Sequence, residues 1–306
     1  MAQHRIVSLT AAATEIVAEC GMAYQLVGRS HDSDLPARVQ KLPAVTRPHG
    51  TGTAKPADGE LGKLQQLLCQ FEVDLDALRA LRPDVVITQC NTRESGESLD
   101  TVAKLLSDFV GVHVKLVSIA PETIDEVMES IEFVSFELGA PHKGTQIVTQ
   151  MTKRLDATRE KLTALSSREK PTVVCLEHFD PLRTPGNWIP EMVRQAGALD
   201  PFSAEHYHTR FLTWKQITDV NPDMLVVMPY NLTLQDSGAA MRSILQEEMF
   251  RNLRAYKRKQ VFVLNGNRYF HRASPRLVEG YEVLAELFHP EIFSPYRYMG
   301  TGWAEY

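Results

Sequence analysis

Short apolar runs alternate along this chain with amphipathic stretches, and both halves repeat the same order. In the first half, Arg5-Ile6-Val7-Ser8-Leu9 is a β-branched run of the kind that fits a pleated, buried sheet. A loop and a helical pattern over residues 13–19 follow, closed by Gly21 where a left-handed cap is expected. In the second half, Thr172-Val173-Val174-Cys175-Leu176 is again such a run. A longer loop, a helical pattern over residues 189–195 and Gly197 as its stop come after it.

A second correspondence is sharper. Leu78-Arg79-Ala80-Leu81-Arg82-Pro83-Asp84-Val85-Val86-Ile87-Thr88 matches Ile217-Thr218-Asp219-Val220-Asn221-Pro222-Asp223-Met224-Leu225-Val226-Val227 in order of types. Each reads as a helix stopped by a Pro-Asp turn, then a strand without polar alternation, the signature of a parallel strand covered on both faces. A third pair joins strand 112–118 to helix 124–138, and strand 261–265 to helix 275–288. Between the halves, Ile147, Met151, Leu155 and Leu162 recur at helical spacing among charges, predicting one long amphipathic helix over 144–167. The expected fold is therefore α/β: two Rossmann-like lobes, residues 1–141 and 169–306, joined by a backbone helix within 142–168. Such an arrangement leaves a ligand cleft between the lobes, walled by loops from the carboxyl ends of the strands.

Composition narrows the function classes. The 306 residues carry 33 Lys and Arg against 38 Asp and Glu, a net charge of -5, so no basic face is available for a phosphate backbone and no nucleic-acid partner is expected. The apolar runs are strand-length, far short of the roughly 20 residues that cross a bilayer, so an integral membrane protein is not expected. Cys20, Cys69, Cys90 and Cys175 form no C-x-x-C pair and read as free thiols of a reducing compartment. The start Met1-Ala2-Gln3-His4-Arg5 runs directly into a strand, which favours a cytoplasmic location.

The strand-end loops, residues 10–14, 31–34, 47–49, 89–91, 177–188, 230–231 and 265–272, are rich in aromatics and amides, a composition suited to a bulky organic ligand. Two readings stand open for Trp188: a clamp packing its loop on the lobe, or a ligand contact. Tyr269 and Phe270 are expected on the cleft wall, and Arg272 beside them is expected to meet a carboxylate, a phosphate or an amide-bearing ligand. His206-Tyr207-His208, with His31, His178 and His271, raises a metal site, but no ligand set has the usual spacing and surface chemistry is the expected reading. There is no G-x-S-x-G, H-E-x-x-H or P-loop, and Gly50-Thr51-Gly52 follows no strand, so neither catalytic residues nor a bound cofactor are expected.

Several phrases in fixed order carry a family resemblance. They are Arg5-Ile6-Val7-Ser8-Leu9 with Ala13-Thr14-Glu15, Val27-Gly28, Ser33-Asp34-Leu35-Pro36, Leu81-Arg82-Pro83-Asp84-Val85-Val86-Ile87, Asp180-Pro181 through Gly186, and Tyr269-Phe270-His271-Arg272-Ala273-Ser274-Pro275-Arg276. In this order the chain resembles, along essentially its whole length, the substrate-binding proteins of ABC transporters with a helical backbone. The branch most similar is the one that binds vitamin B12 (cobalamin), with its iron-chelate relatives. The resemblance implies two lobes joined by one long helix, and a ligand held between them against aromatic side chains with few direct polar contacts. It makes Arg272 and the segments holding Asp32, Arg47 and Gln89 contact positions. With the loop residues His178, Trp188, Tyr269 and Phe270, these form the expected ligand-binding set. Where such relatives often present aromatics, this chain has Asp32, Arg47-Pro48 and Gln89, which points to a more polar ligand or a different grip.

Relatives of this kind dock to a permease through one carboxylate on each lobe, before the Pro-Asp turn. The matching positions are Asp76, which keeps the charge, and Lys215, which reverses it. Together with the N-terminus, this leads to the expectation of a non-enzymatic cytoplasmic protein that binds cobalamin or another metal chelate without feeding a permease. Two alternatives stay open: a secreted ABC-transporter binding protein for cobalamin or a ferric siderophore, and an enzyme of unknown reaction on the same scaffold.

Overall fold

The computed structural model describes residues 3–48, 59–90, 92–163, 170–203 and 209–306. Gly50-Thr51-Gly52, Asn91 and the His206-Tyr207-His208 triplet lie outside the described residues. The chain divides into two compact units, one of Met1–Ala120 with Met128–Val148, the other of Pro121–Val127 with Thr149–Tyr306.

In the first unit the strands are β1 (Ile6–Ser8), β2 (Leu26–Gly28), β3 (Thr46–Arg47), β4 (Glu72–Val73), β5 (Val85–Thr88) and β6 (Lys115–Ser118). The order β2-β1-β5-β6 forms one sheet, all of whose pairs are parallel, while β3 and β4 make a separate antiparallel pair. β1 and β5 are buried along their whole length, as their unbroken apolar runs require. Val7, Leu9, Val86, Leu64, Leu68, Leu78 and Leu106 share one core cluster that joins the sheet to its helices.

In the second unit the strands are β7 (Val173–Leu176), β8 (His178–Phe179), β9 (Leu182–Arg183), β10 (Met224–Val227), β11 (Val261–Leu264) and β12 (Trp303–Glu305). Here the order is β12-β11-β10-β7, with β7, β10 and β11 parallel, and Thr172 forms a further parallel bridge to Leu199 on the outer side of β7. β7, β10 and β11 therefore take the places of β1, β5 and β6, and the Leu199 bridge takes that of β2. β12 is the addition, antiparallel to β11. Buried Glu286 holds it by accepting from the backbone N–H groups of Arg297 and Tyr298, at 2.7 and 2.9 Å, and from the Trp303 indole at 2.8 Å.

Both Pro-Asp turns are built alike. The residue before each proline is left-handed, Arg82 at φ 46° and Asn221 at φ 48°, and ends its helix. The aspartate after each proline then reaches to the start of the neighbouring strand. Asp84 Oδ1 accepts from the Arg5 N–H at 2.9 Å, and Asp223 Oδ2 accepts from the Thr172 N–H at 3.0 Å. Gly21 and Gly197 are left-handed where the pattern places their helix stops, at φ 77° and 90°.

The long helix runs over Pro141–Thr163, starting three residues before the expected 144, because proline suits the first helical position, where no N–H partner is needed. All four cysteines are free and buried. No helix among the described residues is long and apolar enough to cross a membrane.

The Asp84 and Asp223 side chains hold equivalent strand starts. Replacing either with Ala should lower stability by about 1 kcal/mol, the net worth of one hydrogen bond, and Asn should lose less because it keeps the acceptor. Urea unfolding of the four variants checks this; wild-type midpoints for Asp223→Ala would remove the turn from the list of stabilising features.

Candidate functional site

In each unit the chain leaves its first strand toward one side of the sheet and later returns on the other. The crevice beyond the carboxyl ends of β1 and β5, and of β7 and β10, is where such sheets hold ligands. The two edges carry different chemistry.

At the first edge, Thr10 caps the helix Ala11–Glu19 by accepting from the Ala13 N–H at 3.2 Å. Behind it lies a chain of buried hydroxyls: Ser8 and Thr14 are hydrogen-bonded at 2.6 Å, and Thr14 and Ser33 at 2.7 Å. A second cluster joins Ser30 to Thr46 at 2.8 Å, while the His31 N–H donates to the Thr46 hydroxyl at 2.9 Å and its Nδ1 lies 2.8 Å from the same oxygen. The His31 ring also meets Phe71 edge-on at 4.7 Å, and burial lowers its pKa. These bonds fix the loop 30–34 against β1 and β3.

At the second edge, Glu177 follows β7 directly and is 5% exposed. Its Oε1 lies 2.9 Å from Nε of Arg183 on β9, and its Oε2 lies 3.9 Å from Nδ1 of His271. His271 Nε2 meets the carbonyl oxygen of Met228, just past β10, at 2.8 Å. Tyr230 stands over this group: its N–H donates to the Glu177 carbonyl oxygen at 3.0 Å, and its ring meets His271 edge-on at 5.1 Å. Tyr230 is 41% exposed, and Phe211, bridged to Arg183 beside the β8–β9 hairpin, is 68% exposed. Gly266 lets the turn after β11 pass this loop, since a Cβ there would lie 2.1 Å from the Pro229 carbonyl oxygen.

A family model described as periplasmic binding protein matches residues 6–267. The chain belongs to the periplasmic binding protein family. It is 26% identical over 297 residues to an uncharacterized ABC transporter substrate-binding lipoprotein, YvrC, of Bacillus subtilis (strain 168), covering 94% of this chain and 81% of that one. Among solved structures it is similar to the periplasmic vitamin B12 binding protein BtuF of Vibrio cholerae, with TM-score 0.66, 21% identity, and 94% and 97% of the two chains covered. A periplasmic heme binding protein from Pseudomonas aeruginosa gives TM-score 0.70, 20% identity, and 94% and 93% covered. These two structures share the fold, an α/β architecture with parallel sheets, as the sequence pattern predicts.

Within this family fold the expected site residues fall into three groups. Asp32 is half-buried beside His31, and Gln89 is exposed just past β5, both at the first carboxyl edge. Arg47 on β3 is tied to Glu72 of β4 at 2.6 Å, and that bond raises its pKa further. His178 is exposed on β8, its Nδ1 lying 3.0 Å from the Pro181 carbonyl oxygen. The third group is internal. Trp188 is buried and donates through Nε1 to the Phe270 carbonyl oxygen at 3.0 Å, which is the clamp reading of that residue. Tyr269 and Phe270, expected on a cleft wall, are buried within the second unit because the helix Gly266–Tyr269 folds back onto Leu277–Phe288. Arg272 is also buried, donating to Asn267 Oδ1 at 2.8 Å across the turn that carries His271.

Glu177, Arg183 and Tyr230 lie in strand-end loops that the sequence pattern marks out without belonging to the expected ligand-binding set, and Phe211 lies outside those loops. Their signal was positional, since Glu177 and Tyr230 fall within three residues of β7 and β10. Among the described residues, no group of three or more His, Cys, Asp or Glu is placed to hold a metal ion.

A cavity of about 710 Å³ lies elsewhere in the second unit, at the amino ends of β7 and β10, lined by Arg159, Lys170, Arg194, Asp223, Arg254 and His289 among others. Two of its basic residues have structural work. Arg159 donates to Gln195 Oε1 at 2.8 Å at the end of the helix Ile189–Gln195, and Arg254 donates to the Asn221 carbonyl oxygen at 2.7 Å at the end of Trp214–Val220. Cations are favoured at helix C-termini, where carbonyl groups lack partners.

At the carboxyl edge, burial pushes the Glu177 carboxyl from its ordinary 4.5 up to about 7 and the His271 imidazole from 6.5 down to about 4. Unfolded, the two groups hold one proton between pH 4.5 and 6.5, on the imidazole; folded, they also hold one, on the carboxyl. For Glu177 alone, the folded state retains a proton that the unfolded state has lost, so stability falls as pH rises from 4.5 to 7. For His271 alone, the unfolded state retains the extra proton, so stability rises from pH 4 to 6.5. The two slopes oppose each other in the wild type. Glu177→Gln should therefore show stability rising with pH across the lower window and His271→Asn stability falling across the upper one, as read from urea midpoints in a pH series. Slopes of the same sign in both variants would contradict this assignment of the proton.

Proposed function

We propose that this protein is the ligand-binding component of an ABC-type importer and that its ligand is a bulky metal chelate of the tetrapyrrole or siderophore type. The observation that carries this reading is the family match over residues 6–267, which runs through both compact units. The relatives supply direction: one is described as an ABC transporter substrate-binding lipoprotein, and the solved structures as binders of vitamin B12 and heme. Those descriptions, lipoprotein and periplasmic, favour the transporter-associated reading over a cytoplasmic relative. They also favour binding over catalysis.

The chemistry of the second carboxyl edge agrees with such a ligand. Tyr230 and Phe211 offer apolar ring surface beside a polar base of Glu177, Arg183 and His271, a combination that suits a large flat or globular chelate with polar margins. At the first edge, Asp32 and Gln89 supply polar groups, which fits a ligand carrying amide or carboxylate side arms. For delivery, Asp76 is exposed in the first turn of the helix Leu75–Leu81 and serves as a docking carboxylate. Lys215, at the corresponding place in the second unit, is exposed and pairs with Asp219 at 2.7 Å.

Titration with haemin, cyanocobalamin and ferric hydroxamate and catecholate siderophores, followed by visible absorption and calorimetry, tests the ligand class. One of them should bind at micromolar concentration or tighter, and Tyr230→Ala should weaken it about tenfold, or ~1.4 kcal/mol, the upper range for one aromatic contact. Absence of binding across the panel at millimolar ligand would remove the chelate reading.

A further inference from the structure

One arrangement at the second edge goes beyond what a passive binding wall needs. The Met228 carbonyl oxygen can only accept, so the His271 Nε2 that lies 2.8 Å from it carries the hydrogen. In the neutral ring, Nδ1 is then a bare lone pair, and what faces it is the Glu177 Oε2 at 3.9 Å. Two acceptors confront each other when the carboxyl is ionised, and a donor confronts an acceptor when it is protonated. Both are sealed from water, with side chains 7% and 6% exposed, and Tyr230 rests on both: on Glu177 through its backbone N–H and on His271 through its ring.

We propose that Glu177 and His271 hold a single proton between them and that this proton positions the Tyr230 ring, making the pair positioning residues for the ligand wall. The consequence for ligand rests on the reading of Tyr230 as part of that wall; the proton and the ring movement do not. With the proton on Glu177 Oε2, its O–H donates to Nδ1, and closing from 3.9 Å to hydrogen-bond distance draws the imidazole toward β7. Tyr230, edge-on to that ring, follows. With the proton released to water, Glu177 is a carboxylate held by Arg183 alone, and the lone pair of Nδ1 is repelled.

The groups that face the pair are few. Arg183 comes from β9 and favours the carboxylate. Tyr230 comes from the loop after β10. Arg272, next to His271, is turned to Asn267, and His178, next to Glu177, is exposed and turned to Pro181. Burial of both groups favours their neutral forms, which is the state with the proton on the carboxyl.

The test is NMR of the full chain without ligand, with carboxyl-labelled Glu, nitrogen-labelled His and ring-labelled Tyr. One carboxyl signal, absent in Glu177→Gln, should titrate with a midpoint near 7. His271 should keep a hydrogen on Nε2 and none on Nδ1 from about pH 5 to about pH 8, and the Tyr230 ring signals should shift with the carboxyl midpoint. In Glu177→Gln the Tyr230 signals should be independent of pH; a Tyr230 transition that persists there, or a proton found on Nδ1, overturns the proposal. Should Glu177→Gln fail to fold, His271→Asn makes the same test, since Tyr230 should again lose its pH response. Haemin is the probe for the consequence: its affinity should change about threefold between about pH 6 and about pH 8 in the wild type and be flat in the variant. If haemin does not bind at all, the ligand reading fails while the NMR result still decides the proton and the ring.

Discussion

The second aspartate-to-strand bond is the constraint on which the candidate site depends. A parallel pair of strands needs a register, and here one carboxylate sets it at the point where the chain enters the sheet. Asp223 binds the Thr172 N–H while its own N–H donates to the Thr172 carbonyl oxygen at 2.7 Å, so β7 and β10 start level. Four residues on, the pairing Val227 to Leu176 ends level too. Glu177 and Met228 therefore emerge side by side, and a one-residue slip would turn the buried carboxyl to the opposite face, away from His271. The same device at Asp84 levels β1 with β5 and brings Ser8 and Thr88 to one edge.

This device explains why so much of the fold was readable in the sequence. Pro-Asp followed by an unbroken apolar run occurs at Pro83 and at Pro222, and each part has one local cause: a helix stop, a register bond, a strand buried on both faces. The glycine stops at Gly21 and Gly197 were legible for the same reason. The site was less legible because side-chain type does not report burial. Trp188, Tyr269 and Phe270 are aromatic residues in strand-end loops, as ligand contacts often are, yet the turn after β11 folds Tyr269 and Phe270 inward and Trp188 is buried against it. What distinguishes Tyr230 is only that the chain passes it once, at the rim, before entering the helix Leu234–Ala240. For Glu177 the signal was its place just after β7 and nothing more, since a carboxylate there is ordinarily a solvated loop residue, and the positions of Arg183 and His271 make it otherwise.

The two ends of the second sheet divide the charged residues by purpose. At the amino end, arginines meet helix C-termini, and their charges are spent on carbonyl oxygens and on Gln195. The cavity there is large, but its lining is explained by the helices around it. At the carboxyl end, Glu177 and His271 are buried against each other beside Arg183, while His178 is exposed. The chemistry and the topology of the sheet select the carboxyl end as the site.

The repeat makes the contrast between the two carboxyl edges informative. Both edges stand on the same strand order and the same register device, so their differences are not imposed by the scaffold. The first edge is knitted by the hydroxyls of Ser8, Thr14, Ser33, Ser30 and Thr46, beside His31, whose pKa burial lowers. The second replaces hydroxyls with a carboxyl and an imidazole whose protons respond to solvent pH although neither faces solvent. A scaffold that knits one edge largely with hydroxyls has no structural need for a buried carboxyl at the other. The titrating support lies under the exposed ring of Tyr230, so its chemistry is best understood through what that ring does.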